Sequence, residues 1–90
     1  MFKIFETDQF LKDLKRLEKP DQISIYNKIL NTIYPQIKNN PYFGKGIKKL
    51  RSYEPETWRY RIGSFRLFYE INDKKKVIII TTIVIRSKSY

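Results

Sequence analysis

The 90-residue chain contains no cysteine and no histidine, and only three glycines. Without cysteine it can form neither disulfide bonds nor thiolate metal sites, and it has no thiol nucleophile. Without histidine it lacks the commonest general base, the commonest zinc ligand and every Ser-His-Asp triad. Gly44, Gly46 and Gly63 form neither a P-loop nor a GxGxxG motif. These absences exclude triad hydrolases, zinc hydrolases and the common nucleotide-binding loops.

The chain also lacks a long hydrophobic run. Its longest apolar stretch, residues 77–85, is interrupted by two threonines and is far shorter than the roughly 20 residues that span a bilayer. The first ten residues, MFKIFETDQF, lack the apolar core and cleavage site of a signal peptide. We therefore expect a cytoplasmic protein. It should fold as one domain over residues 1–90, because 41% hydrophobic and 16% aromatic residues are too many for a disordered tail.

Negative charge is scarce in the second half of the chain. Residues 1–43 carry seven basic and five acidic side chains, whereas residues 44–90 carry twelve basic and four acidic ones, so most of the net charge of +10 lies there. A face that only confers solubility would mix the two signs more evenly. The asymmetry therefore favours a polyanionic partner, which could be a nucleic acid, an anionic membrane surface or an acidic protein.

Apolar side chains recur first at helical and then at strand spacing. A short first strand is predicted around Phe2 and Ile4, and Thr7 or Asp8 can cap the helix that follows. The two helical stripes are Phe10, Leu11, Leu14 and Leu17, and Ile23, Tyr26, Ile29, Leu30 and Ile33. Pro35 is expected to interrupt or end the second helix. With strands at residues 58–62, 65–71 and 77–85, the order βααβββ predicts an α+β domain with two N-terminal helices packed on an antiparallel β-sheet.

Residues 35–57 are predicted to be irregular, and they contain a basic run. Three prolines, two glycines and an Asn pair fall in this segment. The basic run consists of Lys45, Lys48, Lys49 and Arg51.

Gly63-Ser64 separates two alternating strands and suits a two-residue hairpin turn with glycine first. That turn sets Ile62 opposite Phe65 and Arg61 opposite Arg66. The expected core face carries Trp58, Tyr60, Ile62, Phe65, Leu67 and Tyr69. The other face carries Arg59, Arg61, Arg66 and Phe68.

Directly opposed cations cost a strand roughly 0.2–1 kcal/mol, so a purely structural hairpin would avoid them. Three guanidinium groups beside an aromatic ring match a site for phosphates and bases. The alternative is that the arginines form ion pairs with Glu54, Glu56 or Glu70.

Cleavage of RNA by its own 2′-hydroxyl is a reaction that such a site could support, because the substrate supplies the nucleophile and the protein orients and stabilises it. Arginine stays protonated and is a poor base. The candidates for a base are Lys45, Lys48, Lys49, Lys88 and Tyr90, and the proton could instead leave through water.

Residues 58–69, WRYRIGSFRLFY, resemble the YRxRxGxYRxxY run of the RelE/ParE toxin superfamily, with Trp58 and Phe65 in place of tyrosines. The two helices, the basic loop and the ending RSKSY fit the same superfamily, most closely its RelE branch and the archaeal members of that branch. The resemblance implies a RelE-like fold and a toxin of a type II toxin–antitoxin system. It implies metal-independent cleavage of mRNA in the ribosomal A site, with no cofactor.

The resemblance also implies roles for individual residues. Arg59, Arg61 and Arg66 would bind and polarise the scissile phosphate, Arg86 would assist the leaving group, and Tyr90 would stack on or orient the substrate. Some RelE enzymes have lysines at the positions of Arg59 and Arg61, one of them a proposed base. The further RNA-binding residues would be Lys45, Lys48, Lys49, Arg51, Phe68 and Lys88. The implied partners are ribosomal RNA, mRNA and an acidic, RelB-like antitoxin.

Two other functions fit the sequence. A ParE-like toxin would share the fold and poison DNA gyrase instead of cutting RNA. A non-catalytic basic module would bind RNA or the ribosome without cleaving either. A role at a membrane surface is disfavoured, because the helices have nearly balanced charge rather than a cationic face.

Overall fold

The computed structural model describes residues 1–85. Its helices are α1 (Asp8–Lys15), α2 (Lys19–Lys28) and α3 (Tyr34–Asn39), with a π-helical turn at Ile29–Ile33 between the last two. The strands are β1 (Lys3–Glu6), β2 (Ile47–Lys49), β3 (Thr57–Ile62), β4 (Phe65–Asn72) and β5 (Val77–Ile85). Over this part of the chain, no helix is long and apolar enough to cross a membrane.

Helix α1 begins where the sequence predicted, because the Thr7 hydroxyl accepts a hydrogen bond from the backbone N–H of Phe10 at 3.1 Å. The Thr7 hydroxyl also donates to the carbonyl of Ile80 at 2.7 Å. The Thr82 hydroxyl donates to the Asp13 carboxylate at the other end of the helix. These contacts attach both ends of α1 to β5.

Of the two expected effects of Pro35, the structure shows the interruption of the second helix, at a π-helical turn, and not its end. The chain stays helical to Asn39 because the π-helical turn lies directly before the proline, and the N–H of Tyr34 donates to the carbonyl of Ile29, five residues earlier. Proline lacks an N–H and crowds the carbonyl four residues before it. The wider π-helical turn makes room for the proline ring.

The sheet has the strand order β1-β5-β4-β3-β2. Strands β2 to β5 pair antiparallel, as expected, but β1 pairs parallel with β5 through Lys3↔Val77 to Glu6↔Ile80, so the sheet is mixed. The parallel pair arises because the helices carry the chain over the sheet between β1 and β2. Strand β2 also lies inside the segment that was predicted to be irregular, where it pairs with β3 at the sheet edge.

The helices cover one face of the sheet and enclose the core with it. The fully buried side chains there include Phe10, Ile33, Leu67, Tyr69 and Ile80. All six hairpin residues that the sequence assigned to the core face lie in this core or pack against it. The other face of the sheet carries no helix in the structure of residues 1–85, and the candidate site lies on it.

Candidate nucleic-acid interface

The β3–β4 hairpin has the predicted register. Arg61 pairs with Arg66 and Arg59 pairs with Phe68, and the alternating burial along β4 places Leu67 and Tyr69 on the opposite, covered face. Gly63 has a φ of 55°, in the left-handed region that a glycine-first turn needs. Local pairing therefore brings three guanidinium groups and one aromatic ring together on the uncovered face.

Arg61 is exposed, whereas Arg59 and Arg66 are half-buried. The Arg66 guanidinium donates to the carbonyls of Gly63 at 2.9 Å and Phe65 at 3.0 Å, which holds it over the hairpin turn. The Nε of Arg59 is buried and has no hydrogen-bond partner among residues 1–85. Such a donor costs about 1–3 kcal/mol until it finds an acceptor.

Acidic residues were the alternative partners for these arginines. Glu56 pairs instead with Lys49, whose Nζ lies 2.9 Å from the carboxylate, and this contact holds the pKa of the Glu56 carboxyl below its ordinary value. Within the described part of the chain, neither Arg59 nor Arg61 forms an ion pair with a carboxylate. The arginine cluster, which consists of Arg59, Arg61 and Arg66, therefore keeps most of its positive charge.

The basic run of residues 45–51 divides between several surfaces. Lys48 pairs with Arg59 across β2 and β3 and extends the uncovered basic face. Lys49 pairs with Trp58 and lies on the opposite face of that edge. Lys48, Lys49 and Arg51 also line an open concavity of about 670 Å³ beyond the end of β2. Only part of the run thus joins the arginine cluster.

Lys45 lies at a different place, in a hollow of about 280 Å³ near the hairpin turn. Lys28 and Arg61 line the same hollow. The sequence pattern does not single out Lys28, because this residue lies at the end of a helix, 17 residues before Lys45 and far from the hairpin in sequence. No periodic signal could have placed it there.

Three of the predicted site residues, Arg86, Lys88 and Tyr90, lie outside the described residues. Among those described, no group of three or more acidic side chains is placed so that it could hold a metal ion. What the structure assembles is a surface of fixed cations with one aromatic ring. Such a surface can bind phosphates and stabilise developing negative charge on them.

Comparison with solved structures agrees with this fold. No curated protein matches the sequence. The toxin–antitoxin complex RelBE2 from Mycobacterium tuberculosis has a chain that matches with a TM-score of 0.73 and 21% identity, covering 94% of this chain and 98% of that one. The isolated RelE toxin from E. coli matches with a TM-score of 0.71 and 18% identity, over 99% of this chain and 88% of that one.

The RelB-RelE antitoxin-toxin complex from Methanococcus jannaschii has a chain that matches with a TM-score of 0.64 and 25% identity, over 90% of this chain and 88% of that one. The family model of the ParE toxin of the type II toxin-antitoxin system parDE matches residues 4–90. The resemblance inferred from residues 58–69 is thereby confirmed. With the fold of RelE toxins and a family match over nearly its whole length, this chain belongs to the ParE toxin family within the RelE/ParE superfamily.

Proposed function

We propose that this protein is a ribosome-dependent mRNA endoribonuclease, the toxin of a type II toxin–antitoxin pair, which inhibits translation by cutting mRNA in the ribosomal A site. The observation that carries the proposal is the juxtaposition of Arg59, Arg61 and Arg66 with Phe68 on the sheet face that the helices leave uncovered. Opposed arginines cost the fold free energy, and a phosphodiester between them would reverse that cost by its negative charge.

In the proposed reaction the RNA supplies its own nucleophile. The 2′-oxygen next to the scissile phosphate attacks phosphorus and loses its proton, a new P–O2′ bond forms and the P–O5′ bond breaks. The 5′ oxygen takes up a proton, which leaves a 2′,3′-cyclic phosphate and a 5′-hydroxyl. The protein must hold the attacking oxygen in line and stabilise the extra charge on the phosphoryl oxygens.

The arginines suit the second of these tasks. A guanidinium group can donate two parallel hydrogen bonds to phosphate oxygens and stays charged throughout. Arg66 is already oriented by its two carbonyl contacts, and Arg61 is exposed on the same face. Such preorganised donors need little rearrangement when charge develops.

Other residues would bind the RNA around the scissile bond. Phe68, next to Arg59, offers a ring on which a base can stack, and Lys48 continues the positive surface toward β2. Lys49 and Arg51, in the concavity beyond β2, would contact ribosomal RNA. Arg86, as the group that assists the leaving oxygen, Tyr90, as the group that orients the substrate, and Lys88 remain predictions from the family resemblance.

The partner proposed to control the toxin is an acidic antitoxin. The matching structures from M. tuberculosis and M. jannaschii named above are both complexes of a toxin with its antitoxin. An acidic segment laid over the arginine cluster would neutralise it and block access to RNA. The expected complex should therefore weaken with increasing salt concentration.

A second candidate function is poisoning of DNA gyrase, and the family model favours it because the model that matches describes ParE toxins. Fold does not separate the two activities, since both would be carried by local sites on one scaffold. The arginine cluster favours RNA over gyrase. The two candidates differ in what the protein does to a translating ribosome.

The test is primer extension on mRNA in a purified translation system. Wild-type protein should produce new ends positioned in the A site, and only when ribosomes are present. The double variant Arg61→Ala/Arg66→Ala should lower the cleavage rate by at least about 100-fold, because removing one charge-stabilising donor commonly costs 10²–10³ in rate. The matched control Lys15→Ala/Arg16→Ala removes the same charge at the C-terminal end of α1 and should cleave like wild type.

Arg66→Ala should lower cleavage far more than it lowers the melting temperature, and we expect the same of Arg86→Ala. A parallel loss of both would assign these arginines a structural role. Ribosome binding without cleavage by folded wild-type protein would support the non-catalytic module instead. Failure to cleave together with gyrase-dependent DNA breaks would support the ParE-like activity.

A further inference from the structure

A second basic surface lies beside the hairpin turn, in the hollow of about 280 Å³ that contains Lys45. Its walls come from α2, α3, the loop before β2 and the β3–β4 turn. The lining residues include Lys28, Gln36, Lys45, Gly46, Tyr60 and Gly63. The hollow is large enough to admit a phosphate group.

The charge in this hollow is of one sign. Lys28 and Lys45 come from two separate segments of the chain, and among residues 1–85 no carboxylate lines the hollow with them. Within residues 1–85, Lys28 and Lys45 form no ion pair. Two cations from separate segments without an acidic neighbour repel each other, and an anion placed between them removes that repulsion.

The floor of the hollow is held by short contacts. The N–H of Arg61 donates to the carbonyl of Gly46 at 3.0 Å, and the hydroxyl of Tyr60 donates to the side-chain oxygen of Gln36 at 2.6 Å. Gly46 has a φ of 90°, and a Cβ there would lie 3.3 Å from the carbonyl oxygen of Arg61. A glycine at this position thus lets the loop lie directly against β3 and keeps the hollow in a fixed shape.

The hollow and the arginine cluster meet at the hairpin turn. Gly63 lines the hollow, and its carbonyl accepts the hydrogen bond from Arg66 of the cluster. Arg61 borders both surfaces, because its backbone N–H contacts Gly46 in the hollow while its side chain lies on the face of the cluster. A strand of RNA whose phosphate lies between Arg61 and Arg66 can therefore continue around the sheet edge into the hollow.

We propose that this hollow is a second phosphate-binding site, in which Lys28 and Lys45 bind the RNA backbone next to the scissile nucleotide. The inference rests on the proposed function, because it takes RNA as the ligand. The lysines act as point charges on the backbone, so the site adds affinity independent of base sequence. It lengthens the RNA track from the uncovered face of the sheet to the helix side of the molecule.

The test measures binding of a fluorescent single-stranded RNA whose 2′-hydroxyls are methylated, so that it cannot be cleaved. The dissociation constant is measured by anisotropy between about 50 and 200 mM salt. For Lys28→Ala/Lys45→Ala, the slope of log K against log salt should fall in magnitude by about 1.4, since each phosphate contact on a single strand contributes about 0.7. The matched control Lys12→Ala/Lys15→Ala, on α1, should keep the wild-type slope.

A second readout does not depend on RNA. Titration with inorganic phosphate should shift the backbone amide resonances of Gly46 and Gly63 in the wild type but not in Lys28→Ala/Lys45→Ala. Equal slopes for the two double variants, or phosphate shifts that survive loss of the lysines, would overturn the second site while wild-type binding and cleavage left the proposed function standing. A wild type that neither binds nor cleaves RNA would overturn both.

Discussion

The two faces of the central sheet are made by the same strands and differ in almost every physical property. Toward the helices, β4 presents Phe65, Leu67 and Tyr69, all buried. On the other side it presents Arg66 and Phe68, which remain partly exposed. Because side chains alternate along a strand, each residue serves one face only. The protein can therefore place destabilising like charges on one face while the other face supplies the stability of the fold.

Two adjacent isoleucines on β5 show the difference between the two faces most clearly. Ile80 is completely buried on the covered face, and Ile79 is half-buried on the other. Ile80→Ala should lower the free energy of unfolding by about 2–5 kcal/mol, because it leaves a cavity in the core. Ile79→Ala removes the same atoms but should cost clearly less. Urea unfolding of both variants measures the difference, and equal losses would show that the uncovered face is packed in solution.

A polar contact on the covered side gives the next largest effect. The Glu6 carboxylate accepts hydrogen bonds from the hydroxyls of Tyr26 at 2.8 Å and Tyr34 at 2.7 Å, joining β1 to the second helical segment. Glu6→Gln should cost about 1–3 kcal/mol, because it weakens two part-buried hydrogen bonds to a charged acceptor. Thermal or urea unfolding measures the loss, and unchanged stability would show that the hydroxyls find other acceptors.

The same contact makes the free energy of unfolding vary with pH in the alkaline range. Burial, with a smaller contribution from the hydrogen bond to Glu6, raises the pKa of Tyr26 to about 12, and burial likewise raises the pKa of Tyr34. An ordinary tyrosine has a pKa of about 10, so the fold favours the neutral phenol. The stabilisation is complete below about pH 10 and is lost as the pH rises through about 12. From pH 8 to pH 11, the unfolding midpoint should decrease more in the wild type than in Tyr26→Phe. Equal decreases would contradict the assignment.

The smallest change in the free energy of unfolding is expected on the uncovered face of the sheet. There a substitution should not lower this free energy, unlike the substitutions above. Arg61→Ala removes one of two directly opposed cations and should leave the free energy of unfolding unchanged or raise it by roughly 0.2–1 kcal/mol. Denaturant unfolding at low salt measures the change. A substantial loss of stability would mean that Arg61 supports the fold and would weaken the argument for a binding role.

The hairpin could be read from the sequence because all its determinants are local. Gly63-Ser64 fixes the turn, the turn fixes the register, and the register fixes which side chains share a face. The continuation of the helix through Pro35 could not be read in this way. It depends on a wider turn immediately before the proline, which no apolar periodicity signals.

The outer parts of the sheet were also beyond the sequence pattern. Strand β2 has three residues in a segment rich in proline and glycine, and it forms because β3 offers it a free edge. The parallel direction of β1 follows from the path of the chain over the sheet. Both features are set by partners distant in sequence, so a local pattern cannot encode them alone.

The sequence by itself determined the class of fold, the core face of the hairpin and the cluster of Arg59, Arg61 and Arg66, because alternation and turn geometry act over a few neighbouring residues. Tertiary structure alone decided that residues 47–49 form an edge strand beside β3, and that Lys28 and Lys45 line one hollow with Arg61. The physical reason is distance along the chain. Charges on separate elements come together only when the core between those elements has packed.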